Sequence, residues 1–308
     1  MPSGSAPGKV ILYGEHAVVF GEPAAAVAVD LRAEVYARPH PEWRADGATL
    51  DDPKYAYVKA AVERGWRGPP QWLEIRSRLP LGAGMGSSAA VTVATLTALQ
   101  GMSGTFSRER VALEAFEVEL AVQGRASPID TSAATAGRGV LVLRQREEGF
   151  LWEVRRGETA WQVHAVDLPK FQLVVGTTGI AAPTGPIVAG VRERVEKDPR
   201  ARAAVERIGQ ITLEGVAALR RSDLVTAGVL MDQNHALLNE LRVGGPMLES
   251  LVKAARKHAY GAKLTGAGVG GSMIALTDVP EEAVTAIEEA GGRAFTVSVD
   301  REGAKVGP

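Results

Sequence analysis

The chain has 308 residues, 45% hydrophobic and 23% charged, with a formal net charge of −1; it is long enough for two domains in one body or one large α/β domain. The near-neutral charge, without a basic block, argues against a nucleic-acid groove, and the absence of Cys excludes disulfides, thiolate metal sites and a cysteine nucleophile. No charged segment leads into a long apolar run and none approaches ~20 apolar residues, so a cytoplasmic protein independent of membranes is expected.

In chain order, residues 6–13 read as a strand ending at Gly14, and 24–36 as a second strand with only rough alternation. Residues 39–53 are polar and turn-rich; 55–64 read as a short helix and 72–78 as a strand. Helices follow over 87–100 and 107–123, the second capped by Ser107. Strand-like runs occupy 139–144, 151–154, 162–166 and 172–176, after which the texture turns helical at 185–196, 201–220, 224–240 and 247–258. The end of the chain reads strand, loop, strand, helix, strand over 262–299. The shift near Asp167 divides a β-rich half, 1–166, from a helix-rich half, 167–308.

Between the strand at 72–78 and the helix at 87–100 lies Pro80-Leu-Gly-Ala-Gly-Met-Gly-Ser-Ser-Ala-Ala90. Glycines at alternate positions can curl the backbone until successive N–H groups point inward, and the helix start adds unpaired donors and its positive dipole end. That is an anion cradle suited to a polyphosphate; a serine-capped glycine turn is the plain alternative. Ser87 stands where a P-loop needs Lys, and also where the dinucleotide fingerprint needs its third glycine, so neither common phosphate loop applies.

On a helical wheel of 107–123, Arg110, Glu114 and Glu117 share a polar arc, while Glu119 falls in the middle of the apolar one. A carboxylate there needs an ion-pair partner or a metal; beside a phosphate loop, Mg²⁺ suits carboxylates, hydroxyls and phosphate oxygens. A second glycine run, Lys263-Leu-Thr-Gly-Ala-Gly-Val-Gly-Gly-Ser272, is generous for a hairpin turn. Lys9 opens a strand, the pair Glu15-His16 follows its end, and Asp130 precedes Thr-Ser-Ala-Ala as a helix cap would. Taken singly, a lone Lys reads as a solvated charge and a lone His as structural.

These segments, in this order, resemble the GHMP kinases. Ala6-Pro-Gly-Lys-Val-Ile-Leu-Tyr-Gly-Glu-His-Ala-Val-Val-Phe-Gly21, Met231-Asp-Gln-Asn-His-Ala-Leu-Leu238 and 263–272 are similar to the mevalonate kinases among them. The resemblance is weakest over 39–68 and the last residues. It implies an α+β, two-domain GHMP kinase fold: an N-terminal domain like ribosomal protein S5 domain 2, and a C-terminal ferredoxin-like domain, with the active site in the cleft between. It also implies ATP and Mg²⁺ as cofactors and phosphorylation of the 5-hydroxyl of mevalonate, with a homodimer as an admissible assembly.

By position, Lys9 corresponds to the lysine beside the reacting hydroxyl and γ-phosphate, and Asp130 to the catalytic aspartate. Glu119 and Ser88 correspond to the metal site. Gly82, Ala83, Gly84, Met85, Gly86 and Ser87 would wrap the phosphates, with Ser77 as a nucleotide contact. Glu15, His16 and Thr184 would lie near the substrate, and Gly266, Ala267 and Gly268 form the second glycine loop. Three departures from the family pattern stand out: Ser127-Pro-Ile-Asp-Thr131 replaces Ser-Gly-x-Asp-Asn in a variant associated with archaeal-type enzymes, Ala182 replaces an Arg, and Val269 replaces a glycine at little expected cost. A sister kinase acting on phosphomevalonate or on the 3-hydroxyl, and a sensor without turnover, are the rivals; the presence of Lys9, Glu119 and Asp130 together favours a kinase acting on the 5-hydroxyl.

Overall fold

The computed structural model describes residues 1–80 and 84–307. The first strand, β1 (Ser3–Tyr13), is buried over all but its first residue and pairs antiparallel with β2 (Ala24–Pro39). Two helices from later in the chain, Ser87–Met102 and Pro128–Ala136, pack on both strands, so the first six residues of β2 are buried in succession, which is why its alternation is only rough. The turn-rich segment holds β3 (Arg44–Ala45) and β4 (Ala48–Thr49), followed by α1 (Ala56–Gly65) and β5 (Gln71–Ser77). Then come α2 (Ser87–Met102), α3 (Arg108–Gln123), α4 (Pro128–Ala136), β6 (Gly139–Leu143), β7 (Phe150–Arg156) and β8 (Thr159–Val166).

The second half runs β9 (Gln172–Thr177), α5 (Thr184–Lys197), α6 (Pro199–Arg220), α7 (Leu224–Glu240) and α8 (Pro246–Ala255). It continues through β10 (Gly261–Thr265), β11 (Ser272–Thr277), α9 (Pro280–Glu289), β12 (Arg293–Ser298) and β13 (Lys305–Gly307). The second glycine run joins β10 to β11, which pair antiparallel from Thr265–Ser272 outward.

Two sheets result. One has the order β4-β3-β5-β2-β6-β8-β7, with β1 beside β2 and β13 beside β1; the other is β10-β11-β9-β12. The change of sheet falls between β8 and β9, but β13 departs from that order: it returns to the first sheet, pairing Ser3–Ser5 with Lys305–Gly307. One apolar cluster joins the two sheets through Val10, Leu12, Val29, Leu173, Val175 and Ile274. Helix α2, whose residues are buried on all sides from Thr92 to Gln100, lies against β1 and β2, as a helix without a polar face must.

Two local readings change. The cap of α4 is Ser127, whose Oγ accepts from the Ile129 amide at 3.4 Å, with Pro128 opening the helix; Asp130 is a residue of the first turn rather than the cap. Val269 has φ 64°, a left-handed backbone that a β-branched residue adopts only at a cost of about 1–3 kcal/mol.

Candidate active site

A cavity of about 980 Å³ opens where β1, α2, α3, α4 and α5 converge with the second glycine loop. Lys9 enters from β1, and its Nζ lies 3.1 Å from Asp130 Oδ1 on α4 and 3.3 Å from the Gly84 carbonyl. The Lys9 amide donates to Met85 O at 2.9 Å, so the glycine loop and the strand hold each other. Gly86, at φ 69°, precedes α2, and a Cβ built there would stand 2.9 Å from Lys9 Cγ and Cε. Only glycine meets both the backbone angle and the close approach.

Ser87 and Ser88, the first two residues of α2, line the cavity, where the helix offers unpaired amides. Glu119 on α3 lines it too. Its Oε2 is sealed from solvent without a hydrogen-bond partner, while Oε1 accepts from Gln123 Nε2 at 3.5 Å. Burial first, and then the charge of Asp130, push its carboxyl well above the usual carboxylate range, with Lys9 opposing. The carboxylate has no Arg partner among the described residues, so the ion-pair alternative for Glu119 is not realised.

Glu15 and His16 follow β1 on the same wall. Glu15 forms a buried ion pair with Lys263 of β10. His16 has φ 64°, and burial pushes its pKa down to about 4; the ring is neutral at pH 7, its Nε2–H donating to Ala267 O at 3.0 Å. Thr184 begins α5 and lines the cavity with Gly266 and Ala267. The remaining candidates lie elsewhere. Ser77 is exposed off the cavity, its Oγ accepting from the Leu79 amide at 3.1 Å. Met85 is buried in the apolar core with Val10 and Leu79, and Gly268 packs on the Val243 carbonyl. Gly82 and Ala83 fall outside the described residues.

Several lining groups were not read from the sequence. Tyr57 on α1 lines the cavity and its hydroxyl accepts from Gln123 Nε2; burial raises its pKa. Lys263 does not line the cavity but is the buried partner of Glu15, which does; a Lys inside an apolar strand such as Gly-Ala-Lys-Leu-Thr signals such a partner. Arg125, Arg156 and Arg192 line the cavity as well. No helix among the described residues is long and apolar enough to cross a membrane.

Residues 55–138 match the GHMP kinases N terminal domain, and residues 216–295 match GHMP kinases C terminal. A mevalonate kinase from Pyrococcus furiosus is 36% identical over 340 aligned positions, covering 98% of this chain and 97% of its own. The crystal structure of L. major mevalonate kinase in complex with R-mevalonate superposes with a TM-score of 0.82 at 26% identity, covering 97% of this chain and 95% of that one. Streptococcus pneumoniae phosphomevalonate kinase, in complex with phosphomevalonate and AMPPNP, shares the fold with a TM-score of 0.80 at 18% identity, over 97% of this chain and all of that one (100%). With both of its characteristic regions matched in order and a relative aligned from end to end, the chain belongs to the GHMP kinase family.

Proposed function

We propose that this enzyme transfers the γ-phosphoryl group of ATP to the 5-hydroxyl of (R)-mevalonate, giving 5-phosphomevalonate and ADP, in the cleft between residues 1–166 and 167–308. The observation that carries the reading is the Lys9–Asp130 pair at 3.1 Å in the cavity wall, in a chain 36% identical to a mevalonate kinase along its length. Phosphoryl transfer depends mainly on positioning and charge stabilisation. Asp130 accepts the proton of the attacking hydroxyl, and Lys9 orients Asp130 and faces the charge that develops on the transferred group. The glycine loop with Ser87 supplies main-chain donors to the phosphates, and Thr184 lies at the substrate end.

Mg²⁺ fits the residues present. Among the described residues no group of three or more His, Asp or Glu forms a metal cage, but Mg²⁺ is held by one or two carboxylates with substrate phosphates and water. The orphaned Glu119 Oε2 and the Ser88 hydroxyl are the groups that would hold it, and the ion would neutralise phosphate charge. Glu119→Gln is then expected to raise the Mg²⁺ concentration for half-maximal rate by about tenfold or more. An unchanged Mg²⁺ titration would return Glu119 to a structural role.

The function itself is tested by coupled ADP release with mevalonate, phosphomevalonate, homoserine and galactose as acceptors. Turnover confined to mevalonate, with the product phosphorylated at C5, is the expected result; turnover confined to phosphomevalonate overturns it.

A further inference from the structure

The acceptor proposed above carries a carboxylate as well as hydroxyls, and that charge needs a partner besides the groups that handle phosphate. Five permanently cationic side chains line the cavity among the described residues: Lys9, Lys54, Arg125, Arg156 and Arg192. Lys9 is committed to Asp130. Lys54 lies 3.7 Å from Asp52 and 4.7 Å from the centroid of the Tyr55 ring. Arg156 donates to the Gly124 carbonyl at 3.5 Å. Arg125 and Arg192 are left without an ion pair or hydrogen bond to any described residue.

The two arginines come from opposite halves of the chain. Arg125 is half-buried in the link between α3 and α4 and reaches across to α5: a Cβ built on Gly185 would lie 3.6 Å from its Nη2 and 3.8 Å from its Cζ. That places the guanidinium beside the first turn of α5, which carries no acidic residue. Arg192 projects from the same helix, about two turns on, and also lines an adjoining cavity of about 470 Å³ with Val18 and Ser127. A guanidinium drawn out of water towards a helix's positive end is unfavourable without an anion between them. Its planar fork matches a carboxylate with two parallel hydrogen bonds.

We propose that Arg125 and Arg192 form the subsite that receives the carboxylate of the acceptor, and so select a hydroxy acid over a neutral polyol. The inference rests on the mevalonate reading and deepens it. His16 and Glu15 suit the opposite task, because a neutral ring and a carboxylate on that wall do not attract a second carboxylate.

The test compares the full-length wild type with Arg125→Ala, Arg125→Lys and Arg192→Ala, using mevalonate and its uncharged analogue 3-methylpentane-1,3,5-triol as substrate or competitive inhibitor. Each Ala variant is expected to raise KM for mevalonate by about 10- to 100-fold while KM for ATP stays within about twofold. Binding of the triol should not change, so the preference for the acid collapses, and Arg125→Lys should restore part of it. An unchanged KM for mevalonate in both Ala variants overturns the proposal. So does a rise in KM for ATP alone, which would give the guanidinium to the nucleotide, or an equal loss on acid and triol, which would mark a structural role. Should the wild type instead turn over a different acceptor, the functional reading fails first; the same variants on that acceptor and its uncharged analogue then decide the subsite separately.

Discussion

Asp130→Ala is expected to lower kcat by about 10²–10⁴-fold while KM for ATP moves by less than about threefold. Asp130 stands in the first turn of α4, and its side chain is 26% exposed against 3% for Lys9. It therefore faces the cavity as an accessible base, while the lysine behind it is fixed in the sheet. Removing the carboxylate takes away the proton acceptor and leaves Lys9 Nζ with the Gly84 carbonyl as its hydrogen-bond partner among the described residues. The nucleotide keeps its glycine loop and the start of α2, which is why its affinity should hold. Asp130→Asn preserves the shape and separates chemistry from packing: equal losses in kcat for both variants, at similar melting temperatures, assign the loss to the proton transfer. Lys9→Met combined with Asp130→Ala should lose much less than the product of the single losses, because the pair acts as a unit. Near wild-type turnover in Asp130→Ala would remove Asp130 from the base role.

Much of this site was legible because single residues broke local rules. Glu119 was visible as a carboxylate on an apolar helical arc, and its orphaned oxygen is the same fact seen in three dimensions. Ser107 announced α3 by its capping pattern, and its side chain accepts from the Arg110 amide. The start of helix α4 reads three residues late in the sequence, at Asp130, because Pro128 reads as a breaker until Ser127 is seen to cap the helix, with proline in the first helical position where its missing N–H costs nothing. Strand β13 is a three-residue pairing with the start of β1, formed across almost the whole chain, and no periodicity that short betrays a partner so distant. Arg125 and Arg192 are ordinary surface residues in sequence; only the convergence of α5 with the link between α3 and α4 gives them a common cavity.

Lys263→Met is expected to destabilise the fold by about 3–5 kcal/mol near pH 8, the cost of leaving one partner of a buried ion pair alone. The pair is enclosed, with side-chain exposures of 0% for Lys263 and 1% for Glu15, and Lys263 also donates to its neighbour's carbonyl, Leu264 O, at 2.7 Å. It ties β10 to the end of β1 beside two further links, His16 to Ala267 O and Thr265 Oγ1 to the Ile11 amide at 3.0 Å. Burial pushes the Glu15 carboxyl above its ordinary value of 4.5, while Lys263, and more weakly Lys9, hold it down; Tyr13 and His16 are the other titratable groups beside it. Without the ammonium, burial dominates and the folded-state pKa rises further. A raised carboxyl contributes stability that is present below the unfolded value and is lost as pH climbs through the folded one. The deficit of Lys263→Met relative to wild type should therefore be small near pH 5 and grow towards pH 8, and Glu15→Gln in the same chain should recover part of it. Urea unfolding of the three proteins across that range measures this directly. A deficit of equal size at every pH would assign the loss to the packing of the long side chain instead of to the uncompensated carboxylate.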